Sequence, residues 1–300
     1  MRSLQIPMAL LAMAALACAC AQAQGGLVLH ADIEDHQVVV TAGDALFTAY
    51  QFAPDNKYPH FWPVNGPVSG KSVTTRYTEP YPHHRSLFFG CDKVNGGNYW
   101  QEGNDRGQIV SQGPQIIKES GEHVEFRDAC LWRIPGEDPI IRDTRRVGIA
   151  APSATIRVID FEITLEALCD VVIERSNHSL FAARMDPALS VQGGGVLVNA
   201  EGKTGEEGTF GERSAWCDYS GARDGVTEGL AILQHPENRW HPAPWFTRNY
   251  GFFSPTPMYW LEEGRFELPK DDRLTLRYRV VVHAGDAREA DIAALYAAYK

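Results

Sequence analysis

The chain has 300 residues, 44% of them hydrophobic, and carries a formal net charge of −10 at pH 7. Its Lys and Arg residues form no cluster, and an acidic chain without a basic patch is not expected to partner nucleic acid. Beyond the N-terminal segment no apolar run reaches the about 20 residues that a membrane-spanning helix needs, which excludes an enzyme embedded in a bilayer.

Residues 1–23 read as a secretory signal: Arg2, an apolar run from Ile6 to Ala17, then Ala21-Gln22-Ala23 with a cut before Gln24. Removing Arg2 takes the charge to −11. Cys18 and Cys20 raise lipid anchoring as an alternative, but neither has a leucine three positions upstream. The expectation is a periplasmic or secreted protein whose residues 24–300 form one domain with a sizeable core. Cys91, Cys130, Cys169 and Cys217 remain, and the sequence leaves one disulfide and buried free thiols equally open.

The dominant period along the chain is two. Strands are predicted at Gln37 to Thr41, Ala45 to Phe52, Ser86 to Phe89, His123 to Trp132, Ile159 to Glu166, Val171 to Glu174, Gly195 to Asn199, Gly229 to Leu233 and Arg273 to Val282. In Ile159 to Glu166, Ile159, Phe161, Ile163 and Leu165 alternate with Asp160, Glu162, Thr164 and Glu166, as a strand with one wet face requires. The only helix predicted is terminal, with Ile292, Leu295, Tyr296 and Tyr299 on one face and a capping box of Asp286 with Glu289. Strands throughout with one terminal helix predict an all-β chain, a large antiparallel β-sandwich.

Chemistry-bearing residues gather in four places. His83-His84-Arg85 precede Trp100; if they enter a strand, neighbours point to opposite faces and only one histidine serves a given site. Around His178, Ser and Asn read as turn chemistry, so Arg184, a charge beside the apolar stretch Leu180 to Ala183, is the better candidate there. Trp216-Cys217-Asp218-Tyr219 offers an acid or base with two rings for stacking on a sugar. The run His235 to Gly251, with Pro236, Pro242 and Pro244, reads as a stiff loop displaying His241, Trp245, Arg248 and Tyr250.

Taken in order, His83-His84-Arg85, Asn95 to Trp100, Ala215 to Gly221, and His235-Pro236 with Trp245, Arg248 and Tyr250-Gly251 resemble the successive motifs of an uncharacterised bacterial family usually labelled PmoA-like. The resemblance runs from about Tyr58 to the terminal helix, although Trp245-Phe246 stands where the family commonly has tryptophan-histidine. The label implies a subunit of membrane-bound methane monooxygenase. A chain without spans of about 20 apolar residues contradicts it. What the resemblance implies instead is an exported sandwich similar to those of mutarotases and polysaccharide lyases.

The function expected is a carbohydrate-active hydrolase or lyase with no cofactor. His84, Arg85, Asp218, His235, His241, Arg248 and Tyr250 would carry acid–base chemistry. Trp100, Arg184, Trp216, Tyr219 and Trp245 would bind the substrate. In the lyase version a histidine or tyrosine removes a proton while Arg85 or Arg248 steadies the enolate; in the hydrolase version Asp218 and Glu174 flank the glycosidic bond. The alternatives are a non-catalytic carbohydrate-binding protein and a metal-dependent enzyme with His84, His235, His241 and Asp218 as ligands. Convergence of the four clusters is an expectation that requires His84 and His235 to share one face of the sandwich.

Overall fold

In the strand Ile156–Ala167 the side chains from Ile159 onward are buried at every second position, and the strand pairs antiparallel with Ile141–Ala150 on one side and Arg273–Ala284 on the other. That is the outcome the alternation demands: one row leaves water at about 1.5–3 kcal/mol for each large apolar side chain, and the other stays wet. The computed structural model describes residues 26–101 and 103–300; the proposed signal lies outside them.

Among the described residues two sheets face each other. The first runs Trp245–Arg248, Phe252–Pro255, Ser179–Arg184, Leu87–Val94, His60–Val64, Ala45–Gln51, Gln37–Ala42, Leu29–Glu34, Ser120–Gly121. The second runs Val196–Asn199, Trp216–Arg223, Val226–Gln234, Arg273–Ala284, Ile156–Ala167, Ile141–Ala150, His123–Arg133, Gln108–Ser111. The protein is thus a large antiparallel β-sandwich. Cys91, Cys130, Cys169 and Cys217 are all free thiols.

Between the sheets, Phe181 of the first stacks on Phe161 and Tyr278 of the second, with ring centroids 4.9 and 4.8 Å away. Beside this stack lies an ionic network. Asp143 accepts from Trp132 Nε1 at 2.7 Å and from Arg145 Nε at 2.9 Å, while Tyr50 of the first sheet donates to Asp128 at 2.8 Å. The Arg145 and Asp143 side chains are 1% and 0% exposed. Such a pair recovers its desolvation cost only because nearly every polar atom is answered.

Three local expectations are corrected. The capping box forms, Glu289 N donating to Asp286 Oδ1 at 2.8 Å and Asp286 N to Glu289 Oε2 at 3.0 Å, but it closes a turn; the helix is Ile292–Ala297, capped by Asp291. A second short helix, Gly205–Thr209, had no apolar periodicity to announce it. The supposed stiff loop contains the strand Trp245–Arg248, hairpinned to Phe252–Pro255 once the last proline is passed. The turn needs Gly251, at φ +100°, where a side chain would press on Met185 and Ser190 at 3.1–3.2 Å.

Arg145→Met should lower stability by about 3–5 kcal/mol, because it leaves Asp143 as an uncompensated buried charge. Urea unfolding measures this, and an unchanged midpoint would show that the pair contributes nothing net.

Candidate functional site

On the outer face of the first sheet an open cleft of ≈ 230 Å³ is lined by Tyr81, His83, His84, His178, Arg248 and Tyr250, among others. Its residues come from separate parts of the chain. Tyr81 to His84 form the turn that precedes Leu87–Val94, closed by His84 N donating to Tyr81 O at 3.1 Å. Tyr58 Oη anchors the turn by donating to His83 O at 2.6 Å. Because this is a turn and not a strand, the side chains do not alternate: both His83 and His84 line the cleft, their rings 4.4 Å apart. This corrects the expectation that only one could serve.

His84 is buried against Phe252, centroid to centroid 4.3 Å. Burial, then the proximity of His83 and Arg184, lowers its pKa to about 2. Burial and His178 lower His83 to about 4. Both are therefore neutral near pH 7, each with one N–H to give and one lone pair to accept. His178, expected to be an ordinary loop residue, is half-buried at the mouth of the strand Ser179–Arg184. Its Nδ1 lies 3.2 Å from Asp92 Oδ2, and its backbone carbonyl accepts from Asp92 N at 2.9 Å. With Nδ1–H donated to the carboxylate, Nε2 carries the free lone pair, the arrangement that orients an imidazole as a base.

The cleft's walls are aromatic and cationic. Tyr81 and Tyr250 lie 4.9 Å apart. Trp100 packs 5.9 Å from the His178 ring, behind it and fully buried. Arg248 Nη1 donates to Glu206 Oε1 at 2.9 Å, so the short helix Gly205–Thr209 serves to fix this guanidinium over Phe246. Tyr219 rises from the core to donate its hydroxyl to the Arg248 carbonyl. Arg184 lies under the Tyr250 ring, its carbon Cζ 4.3 Å from the centroid.

The structure thus brings His84, Arg248, Tyr250, Arg184 and Trp100 to one region, and the remaining expected residues elsewhere. Arg85 turns away to Asn56, donating at 3.0 Å. Trp245 is a core residue, its Nε1 donating to Ser214 O at 2.8 Å. Trp216 packs under the terminal helix on the outer face of the second sheet. Asp218 is buried on that same sheet against His283, 2.7 Å away; burial lowers the His283 pKa, but the carboxylate raises it on balance. Glu174 is exposed at the end of its own strand in the other sheet, so Asp218 and Glu174 flank nothing in common.

His235 and His241 are held by the C-terminal segment: His235 packs on Tyr299, just past the helix, at 5.2 Å, and His241 Nε2 is 2.9 Å from Tyr296 Oη within it. His235 borders a second cleft of ≈ 340 Å³ on the outer face of the second sheet, with Glu125, Arg146, Glu162 and Arg277. Although larger, that cleft is lined by charges that already answer one another, Arg146 with Glu125 at 2.8 Å and Arg277 with Glu162 at 2.6 Å. His84 and His235 therefore stand on opposite faces of the sandwich, and the expected convergence fails. The metal set His84, His235, His241 and Asp218 fails with it, and no other group of three such ligands that could hold a metal occurs among the described residues.

Sequence reasoning placed Tyr81, His83 and His178 in its clusters without choosing them for the site, and it missed Asp92. The clustering of Asn177-His178-Ser179 before an apolar run was the one signal for His178; its partner, 86 residues away, leaves no local trace.

A model described as "Family of unknown function (DUF6807)" matches residues 37–297. No curated protein matches the chain in sequence. Among solved structures, the chain is similar to galactose 1-epimerase from Lactobacillus acidophilus NCFM, at 8% identity and a TM-score of 0.42, over 87% of this chain and 99% of that one. It is similar to a putative aldose 1-epimerase from Escherichia coli K12, at 9% and 0.35, over 86% and 99%. A GH36 α-galactosidase from Geobacillus stearothermophilus is similar at 9% and 0.34, over 86% and 40%. These scores and identities are low, and neither a substrate nor a reaction follows from them.

The histidines whose pKa is lowered give a pH dependence. His83, His84 and His60, the last lowered by burial to about 3, all titrate below the ordinary value of 6.5 when folded. The unfolded chain then binds more protons, so stability is full above about pH 6.5 and is lost as pH falls towards their folded values. Melting temperatures between pH 7.5 and 4.5 should fall, and less steeply in His84→Phe; equal slopes in both proteins would remove His84 from the balance.

Proposed function

Because the chain belongs to the DUF6807 family of unknown function, its chemistry has to be read from the cleft, and we propose that it is an exported carbohydrate-active enzyme that transfers protons through histidine. The observation that carries the reading is His178, braced by Asp92 at 3.2 Å and facing the neutral pair His83 and His84 across a cleft walled by Tyr81 and Tyr250. Tyrosine rings accept the apolar face of a sugar, and their hydroxyls its polar edge. The export step rests on residues 1–23, and no helix among the described residues is long and apolar enough to cross a membrane.

Within this reading the reaction is a lyase-type elimination. His178 Nε2 takes a proton from a sugar carbon next to a carbonyl or carboxylate. The C–H electron pair becomes a C=C bond as the C–O bond to the neighbouring sugar breaks, and the N–H of His83 or His84 protonates the departing oxygen. Negative charge that develops on the enolate is stabilised by the cationic side of the cleft, where Arg184 lies against Tyr250. Two-carboxylate hydrolysis fits less well. Asp92 is engaged by His178 and Glu206 by Arg248, so no carboxyl pair flanks a bond. A sugar-binding protein without catalysis is the second reading, favoured by the adjacent Tyr81 and Tyr250 rings.

The test is to incubate purified protein with oligosaccharides that include uronates and to follow product masses and ultraviolet absorbance. A lyase leaves a fragment one water lighter than the hydrolysis product, carrying a conjugated double bond. His178→Ala should lower kcat/KM by about 10²–10⁴, whereas His235→Ala, on the opposite face, should leave it unchanged. Hydrolysis products would replace the lyase assignment, and binding without turnover would favour the second reading.

A further inference from the structure

The strand Ser179–Arg184 ends beside the cleft, against the Tyr250 ring of its wall, in a charge that no carboxylate answers. Arg184 is 3% exposed, and its Nε and Nη1 have no hydrogen-bond partner. Its guanidinium stacks at 4.3 Å on Tyr250, which lines the cleft together with Tyr81 and His84. Arg248 makes the contrast: its guanidinium is held by Glu206 at 2.9 Å, whereas no carboxylate pairs with Arg184 among the described residues. A guanidinium does not shed its proton in a protein, so it cannot escape the cost of burial by becoming neutral. Buried charges are kept where something of opposite sign answers them, and here the answering group is not part of the chain.

We propose that the missing counter-charge is a carboxylate of the substrate, so that the cleft selects acidic sugars of the uronate class, with Arg184 as the buried anchor. This deepens the reading above and rests on it. The planar fork of an arginine suits the two oxygens of a carboxylate. The chemistry fits the same choice. A carboxylate neutralised by Arg184 withdraws electrons from the carbon beside it and makes that carbon's proton easier for His178 to remove, and the charge formed on the enolate stays on the oxygens Arg184 already holds.

Calorimetric titration of the full chain with glucuronate and galacturonate oligomers, matched neutral oligomers and sulfated neutral oligomers tests this. Wild type should bind the acidic oligomers at least tenfold more tightly than the neutral ones. Arg184→Met should erase that preference while melting, without ligand, no lower than wild type, since it removes an unanswered buried charge. Arg184→Lys keeps the charge without the fork and should retain only part of the preference; it serves as the second variant if Arg184→Met does not fold. Equal binding of neutral and acidic oligomers, a preference that survives in both variants, or tighter binding of the sulfated series would each overturn the proposal. Arg184-dependent uronate binding without turnover would leave this inference standing and remove the proposed enzyme; turnover of neutral sugars unaffected by Arg184→Met would do the reverse.

Discussion

Phe181, clasped between Phe161 and Tyr278, sets the geometry on which the cleft depends. A ring fixed in the space between two sheets settles which way its strand faces, and the two-residue period carries that decision along the chain. With Phe181 and Ala183 turned inward, Ala182 and Arg184 must turn outward, opposite Phe88 and Phe252. A shift of one residue would send the arginine into the apolar core and turn the phenylalanine to the outer face. The charge at the cleft is therefore held in place by apolar packing on the far side of the same sheet.

The outer face of the first sheet is unusual in being mostly dry. Trp100, Phe88, Phe252 and His84 cover it, so polar groups there lie in surroundings that amplify charge and lower the basicity of histidine. The second sheet shows the opposite solution. Its outer face carries cross-strand pairs such as Arg279 with Asp160 and Arg146 with Glu125, each partner neutralising the other, and the terminal helix covers what is apolar there. One face leaves Arg184, His83 and His84 with polar atoms unpaired; the other uses its charges up.

Much of this fold was legible in the residues. Alternation located the long strands, because a half-buried sheet writes its burial directly into every second position, as in Ile156–Ala167 and Arg273–Ala284. The short strands around the cleft were harder: Ser179–Arg184 is buried on both faces, and Trp245–Arg248 begins directly after prolines. The site was legible only in part. His84, Arg184, Arg248 and Tyr250 stood out as polar groups in aromatic company. The grouping failed because neighbouring motifs in sequence are sorted to different sheets, and the sorting depends on pairings far apart in the chain. Asp218 resembled an acid in an aromatic segment, yet its partner His283 lies 65 residues away in the same sheet. His178 resembled a turn residue because the feature that distinguishes it, Asp92, is on another strand.

The double link between Asp92 and His178, main chain to main chain and carboxylate to ring, makes the imidazole's direction a property of strand pairing. The residues around it, Tyr81 and Asn177, sit in turns outside that ladder. Descendants of this sequence can thus exchange rim residues and explore new ligands while inheriting the same oriented base, and change of the base itself must pass through rearrangement of the sheet. Under the proposed function, substrate range and proton-transfer chemistry would be separately mutable traits.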